Sequence, residues 1–195
     1  PVDLIADFAA RIPVEVIGNL LDVPRSERAP LQGWSLAILS ALEPRPAADV
    51  LDRANRATRE FLDYLDGLVA HRTLHPGDPE VDVLTRLIVG ERPAAGNNND
   101  GGGRPREKLS RVELLHNCIF MLNAGHETTT NLIGNGMHAL LEHPDQLERL
   151  RREPALITTA VEELLRFDSP LQLNNRVTTA PIELGGHTLP TGTFV

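Results

Sequence analysis

A carboxyl group and a hydroxyl group stand side by side at Glu127 and Thr128, shortly after the small residues Ala124 and Gly125. A carboxyl group and an alcohol can hold or transfer a proton at a reacting atom. Small residues allow a bulky group to approach the backbone closely. Together these four residues have the chemistry to bind a large ligand and to handle protons beside it.

The four residues lie in the middle of the stretch 109–142, where apolar residues recur at spacings of three and four. This pattern predicts one long helix. Ser110 and Glu113 form a capping box at its start, and a proline after His143 marks its end. Such a helix is about 48 Å long, whereas a compact chain of this length is roughly 42 Å across. The helix therefore either protrudes or belongs to a larger globule.

The centre of this predicted helix has an unfavourable composition. Gly125 and the three threonines at 128–130 all lower helix stability, glycine through its flexibility and threonine through its branched side chain. Broken local rules in a well-patterned element often mark a functional site. The alternative is a kinked core helix whose small residues allow close helix packing, and the residues alone leave both interpretations open.

Composition restricts the class of protein. The 195 residues suit one domain, and the hydrophobic fraction of 41% suffices for a core. A formal charge of -8 argues against nucleic-acid binding, and a single cysteine excludes an internal disulfide framework. We find no segment that resembles a signal peptide or an apolar membrane span, which predicts a soluble, cytoplasmic protein without membrane contact.

The rest of the chain predicts helices before the long helix and strands after it. Apolar periodicity predicts helices at 3–21 around Pro13 and at 26–42, 47–72 and 79–89. Gly185-Gly186 predicts a hairpin turn. The predicted fold class is mainly α with a small β region, built on one central helix. The predicted divisions are helices in 1–95, a flexible loop at 96–108, the central helix at 109–143, two short helices in 144–168 and strands in 171–195.

Residues 124–129, AGHETT, resemble the oxygen-binding signature [AG]-G-x-[DE]-T-[TS] of the cytochrome P450 family, the haem-thiolate monooxygenases. Glu163 and Arg166 are similar to the E-x-x-R pair of that family, and residues three apart on a helix can form an ion pair. The resemblance implies that this pair is buried. Arg176 resembles the arginine that binds a haem propionate. The resemblance implies a fragment of a soluble, bacterial type, with 1–95 on the substrate-roof side of the fold.

The resemblance also implies roles for single residues. Ala124, Gly125 and Thr129 are expected beside haem b and dioxygen. Thr128 is expected to hydrogen bond to the oxygen and Glu127 to relay protons. The implied reaction inserts one atom of dioxygen into a small hydrophobic organic substrate, with electrons from a ferredoxin or a similar donor.

The cysteine that ligates iron in this family lies in a glycine-rich loop that this sequence lacks. The only cysteine, Cys118, lies within the predicted central helix, where a buried, small apolar role is the better interpretation. The thiolate ligand is therefore expected beyond Val195, and no residue of this chain is predicted to ligate a metal. The fragment alone is expected to be inactive.

Two other classes of function compete with the oxygenase. Four histidines, His116, His126, His138 and His143, suggest a metal hydrolase. The zincin pattern, however, needs a second histidine four residues after the first, where Thr130 stands. Solvated or core histidines are therefore the better interpretation. The second alternative is a non-catalytic helical fragment or a pseudoenzyme with an interaction role.

Overall fold

The computed structural model describes residues 2–43, 45–90 and 109–195; the predicted loop at 96–108 lies outside these residues. The described residues form seven α-helices and one antiparallel hairpin. A short π-helical turn, Ile5–Ala9, precedes the first helix. The helices are α1 (Arg11–Leu20), α2 (Ala29–Ser40), α3 (Ala48–Leu74), α4 (Val83–Val89), α5 (Arg111–Glu142), α6 (Pro144–Arg152) and α7 (Ile157–Phe167), followed by β1 (Ile182–Leu184) and β2 (His187–Leu189).

The central helix α5 has the predicted ends. The Ser110 hydroxyl accepts a hydrogen bond from the Glu113 backbone N–H at 3.3 Å, and the Glu113 carboxylate accepts one from the Ser110 N–H at 2.8 Å. The hydrogen bond from the Ser110 backbone, and secondarily an interaction with the Ser110 hydroxyl, lower the pKa of the Glu113 carboxyl group. At the other end, His143 leaves helical geometry directly before Pro144, where α6 begins. The predicted capping box and helix end are confirmed.

Several predicted helices differ in their bounds. The two helices predicted around Pro13 are the π-helical turn Ile5–Ala9 and α1, which begins at Arg11, so Pro13 lies in the first turn of α1. The first four N–H groups of a helix have no partner within it, so a proline that lacks one is tolerated there. The helix predicted at 79–89 begins only at Val83, because Asp82 caps it by accepting a hydrogen bond from the Thr85 N–H at 3.1 Å.

The hydrophobic core covers one side of the N-terminal half of α5. Helices α1, α2, α3 and α4 all pack against α5, and α2 also packs along α3. The Phe61 ring is fully buried and stacks on Trp34 with 5.0 Å between ring centroids. The α5 residues in this core are Leu114, Leu115, Cys118, Ile119 and Leu122. These contacts hold α5 firmly just before the residues with candidate chemistry.

The C-terminal part of the chain packs against the other half of α5. Helices α6 and α7 both contact α5, and the chain then enters the hairpin of β1 and β2. Gly185 and Gly186 have φ angles of 58° and 79°, as the turn of a tight hairpin requires. The predicted hairpin is confirmed. Outside the hairpin, the strands predicted in 171–195 reduce to one bridge between Val177 and Phe194.

In the part of the chain that the structure describes, no helix combines the length and apolar character that a membrane crossing requires.

Candidate active site

The centre of α5 presents two chemically different sides. One side is buried and carries Leu122, His126 and Thr130, which follow one another at a spacing of four residues. The other side, which we call the open face, is defined by the exposed residues Phe120, Ala124, Glu127 and Asn131. Phe120 is 67% exposed although its ring is large and apolar. The structure thus places small, aromatic and acidic side chains together on one uncovered surface.

Thr128 lies at the edge of the open face and is half-buried. Its hydroxyl group donates a hydrogen bond of 2.6 Å to the Ala124 backbone carbonyl, one turn earlier. Thr130 forms the equivalent bond of 2.8 Å to the His126 carbonyl, but on the buried side. Such bonds compete with the helical hydrogen bonds and favour bending. The Thr128 oxygen is therefore fixed beside Ala124, with lone pairs available to accept a further hydrogen bond.

Gly125 has a close neighbour on α1. A Cβ atom at this position would lie 2.8 Å from Cδ1 of Ile17, which is closer than a carbon–carbon contact allows. The missing side chain thus makes room for the packing of α1 against α5. Ala124, rather than Gly125, supplies the small side chain on the open face. The cofactor contact predicted for Gly125 stays a prediction, while close helix packing already accounts for the glycine.

A double-mutant cycle measures this packing. Gly125→Ala gains helix stability but brings a methyl group against Ile17, so the two effects oppose one another. Ile17→Val removes Cδ1 and with it the contact. We expect Gly125→Ala to be more favourable by about 1 kcal/mol in the Ile17→Val background than in the natural sequence. Guanidinium unfolding of the four proteins gives the coupling; equal effects in both backgrounds would contradict the packing role.

His126, the variable position of the motif, is buried with only 1% of its surface exposed. Its Nδ1 lies 3.1 Å from the hydroxyl oxygen of Ser35 on α2, which is itself fully buried. Burial lowers the pKa of His126, and a weaker interaction with the Ala10 backbone opposes part of that effect. The ring is therefore neutral near pH 7. The sequence favoured a solvated or core role for His126 over a metal ligand but did not indicate Ser35 as its partner. The spacing of His126 from Leu122 and Thr130 was the available signal of burial.

Glu163 and Arg166 form the predicted ion pair on α7. Two parallel hydrogen bonds join them, from Nε to Oε2 at 2.8 Å and from Nη2 to Oε1 at 2.6 Å. The arginine bonds lower the pKa of the Glu163 carboxyl group. Their side chains are 57% and 69% exposed, respectively, so the burial implied by the resemblance is not present in the described structure. The pair is formed locally by residues three apart on one helix.

Arg176 lies in the extended segment before the hairpin and is exposed. Its backbone exchanges two hydrogen bonds with Val195, at 2.8 and 3.0 Å. Its guanidinium group donates to the Asn174 side-chain oxygen and, at 2.9 Å, to the Asn175 carbonyl. The structure therefore holds the Arg176 side chain against its own loop, and its predicted contact with a propionate stays a prediction.

Cys118 is fully buried in the hydrophobic core, on the side of α5 away from the open face. Burial raises the pKa of its thiol to about 11. The thiolate is the form that ligates metals, so this cysteine is unsuited to hold iron near neutral pH. In the described residues, no group of three or more His, Cys, Asp or Glu side chains is placed to hold a metal ion.

The thiol of Cys118 predicts a pH dependence of stability. Its pKa is raised by folding, so the folded state binds the proton more tightly than the unfolded state, whose thiol ionises near 9.0. The resulting stability is present below pH 9 and is lost as the pH rises towards 11. We expect the free energy of unfolding to fall by about 2 kcal/mol more in the natural protein than in Cys118→Ala between pH 8 and 11. Parallel urea titrations of both proteins check this, and identical slopes would contradict it.

Comparison with known proteins decides the family. The family model for Cytochrome P450 matches residues 46–195, which include α5, α7 and the hairpin. The chain belongs to the cytochrome P450 family. The predicted fold class, mainly α with a small β region and built on one central helix, is therefore confirmed as a part of the cytochrome P450 fold. Members of the family are haem b monooxygenases.

Curated cytochrome P450 relatives match along the whole chain. The vitamin D(3) 25-hydroxylase of Pseudonocardia autotrophica is 40% identical over 100% of the chain and 43% of its own length. The biotin biosynthesis cytochrome P450 of Bacillus subtilis (strain 168) is 34% identical over 97% of the chain and 44% of its own length. The chain thus spans less than half the length of these bacterial relatives.

Solved cytochrome P450 structures give the same result. The crystal structure of P450BioI in complex with an acyl carrier protein ligated to hexadec-9Z-enoic acid superimposes with a TM-score of 0.85 at 34% identity. The superposition covers 99% of the present chain and 46% of the P450BioI chain. CalO2 superimposes with a TM-score of 0.84 at 29% identity, over 99% of the chain and 45% of that structure.

Proposed function

We propose that the complete protein is a haem-dependent monooxygenase that inserts one atom of dioxygen into an organic substrate. The reaction consumes substrate, dioxygen, two electrons and two protons, and yields hydroxylated substrate and water. The observation that carries the proposal is the placement of Glu127 and Thr128 on or beside the open face of α5, inside the signature of the cytochrome P450 family.

The residues of the open face fit a flat ring. Ala124 is exposed and small, so a planar group can approach the α5 backbone at this position. Phe120, one turn earlier, adds an exposed apolar surface. In our proposal haem b would lie against Ala124, and Arg176 would turn from its own loop to bind a propionate, a carboxylate that its planar fork of donors suits. Thr129 lies about 140° further round the helix than Ala124, so its contact with haem stays a prediction. When bound, haem b supplies the binding and reduction of dioxygen.

Thr128 and Glu127 have different roles in this proposal. The Thr128 hydroxyl is held by the Ala124 carbonyl and presents its oxygen beside the open face. It can accept a hydrogen bond from a protonated group there, or turn and donate one. The exposed Glu127 carboxylate can take a proton from solvent at its Oε atoms and pass it on. Together they would pass protons from solvent to a group bound at the open face.

For the substrate, we propose a small, mainly apolar molecule. Exposed apolar side chains on two packed helices, Phe120 on α5 and Leu36 on α2, support this class. A relative, P450BioI, was crystallised with a fatty acyl group on its carrier protein, and CYP109E1 from Bacillus megaterium with testosterone. We further propose a ferredoxin or similar electron donor and a cytoplasmic location.

The reduced carbon monoxide difference spectrum of the complete protein tests this function. We expect the Soret shift that thiolate ligation of haem iron produces. Removing haem should abolish this signal. A protein that takes up no haem, or whose spectrum lacks the shift, would favour the alternative of a non-catalytic helical protein.

A further inference from the structure

The waist of α5, which we define as residues 124–130, has a low intrinsic helix stability. It contains one glycine, which lowers helix stability by about 0.5–1 kcal/mol relative to alanine, and three threonines. Two of those threonines direct their hydroxyl groups to backbone carbonyls of the same helix. A segment of this kind needs tertiary contacts to keep one conformation, because its local preferences do not specify one.

His126 supplies such a contact from within the waist. Its ring is buried and reaches Ser35, which lies 91 residues earlier and belongs to a different helix, α2. The Ser35 hydroxyl is fully buried as well, so water does not compete for this hydrogen bond. The other ring nitrogen, Nε2, is buried without a hydrogen-bond partner among the described residues. The hydrogen bond to Ser35, together with a weaker interaction with the Ala10 backbone, thus makes up the polar contacts of this ring.

The position of His126 within the motif links it to the open face. An α-helix turns by about 100° per residue, so residues two positions away point to nearly the opposite side. Ala124 lies two residues before His126, and Thr128 lies two residues after it. Anchoring the His126 ring on α2 therefore determines the direction in which Ala124 and Thr128 point. Any rotation of the waist that turned Thr128 away would break the hydrogen bond to Ser35.

We propose that His126 is a positioning residue: its hydrogen bond to Ser35 joins the waist of α5 to α2 and keeps Glu127 and Thr128 directed to the open face. The catalytic consequence rests on the proposed monooxygenase function, whereas the structural link does not. The ring acts through its neighbours and needs no contact with substrate.

Two variants of the complete protein test the link. Ser35→Ala removes one oxygen atom and should leave the fold intact, and His126→Leu removes the polar ring. Amide hydrogen exchange at residues 124–128 should become at least tenfold faster in each. The double variant should exchange no faster than either single variant, because both remove the same bond. Ile119→Val, a buried change on the same side of α5, is the control and should leave this exchange unchanged.

A second readout addresses the reaction. The fraction of electrons that end in product should fall at least threefold in Ser35→Ala and His126→Leu, and remain normal in Ile119→Val. His126→Asn, whose amide can replace Nδ1, should recover part of the loss. The proposal would be overturned if both variants matched Ile119→Val in the exchange rate at residues 124–128 and in the fraction of electrons that end in product. Additive effects on exchange in the double variant would also overturn it. Failure of the proposed function appears instead as a missing carbon monoxide spectrum, with the exchange result unaffected.

Discussion

Thr128→Ala is expected to lower the rate of product formation by about 10²-fold in the complete protein, because delivery of a proton at the right position contributes factors of this size. The variant loses the hydroxyl group that donates a hydrogen bond to the Ala124 carbonyl, beside the open face. Electrons should still be consumed, but dioxygen should leave mainly as hydrogen peroxide. Product, peroxide and oxidised reductant are measured in the same reaction.

The chain offers a matched control for this prediction. Thr130→Ala removes an equivalent hydroxyl bond, to the His126 carbonyl, but on the buried side of the same helix. This variant should change the free energy of unfolding more than it changes the fraction of electrons that end in product. Thr128→Ser keeps the hydroxyl group and should retain most product formation. A Thr128→Ala protein with normal rate and no additional peroxide would show that this hydroxyl has no part in the reaction.

Phe61→Ala is expected to have the largest effect on folding. The Phe61 ring is fully buried and stacks on Trp34, so it joins α3 to α2 within the core that supports α5. Its removal leaves a cavity and deletes an aromatic contact, and we expect a loss of about 3–5 kcal/mol in the free energy of unfolding. Guanidinium unfolding followed by circular dichroism measures this difference on the 195-residue chain.

Leu74→Ala on the same helix is the control. Leu74 is 77% exposed, so truncating its side chain should change the free energy of unfolding by less than about 0.5 kcal/mol. A Phe61→Ala protein as stable as Leu74→Ala would mean that the packing of α2 on α3 contributes little. Loss of the cooperative transition in Phe61→Ala would agree with the prediction.

Features that depend on neighbouring residues could be predicted from the sequence. The ends of α5 follow from the capping box of Ser110 and Glu113 and from Pro144, and the hairpin follows from two adjacent glycines. In each case the interacting groups lie within about four residues of one another. Around Pro13 the prediction missed only the start of α1, which lies at Arg11, because a helix tolerates proline at any position of its first turn.

By itself, then, the sequence determined the long helix, its weak centre and the presence of an acid and an alcohol there. It did not determine which side of that centre is buried. That choice came from contacts between distant segments: Ile17 fills the space at Gly125, and Ser35 binds the ring of His126. Periodicity cannot resolve such contacts in a stretch where glycine, histidine and threonine replace the apolar stripe. Only the packing of α1 and α2 on α5 left Ala124 and Glu127 on the open face, because a helix can turn just one side of its waist towards the core.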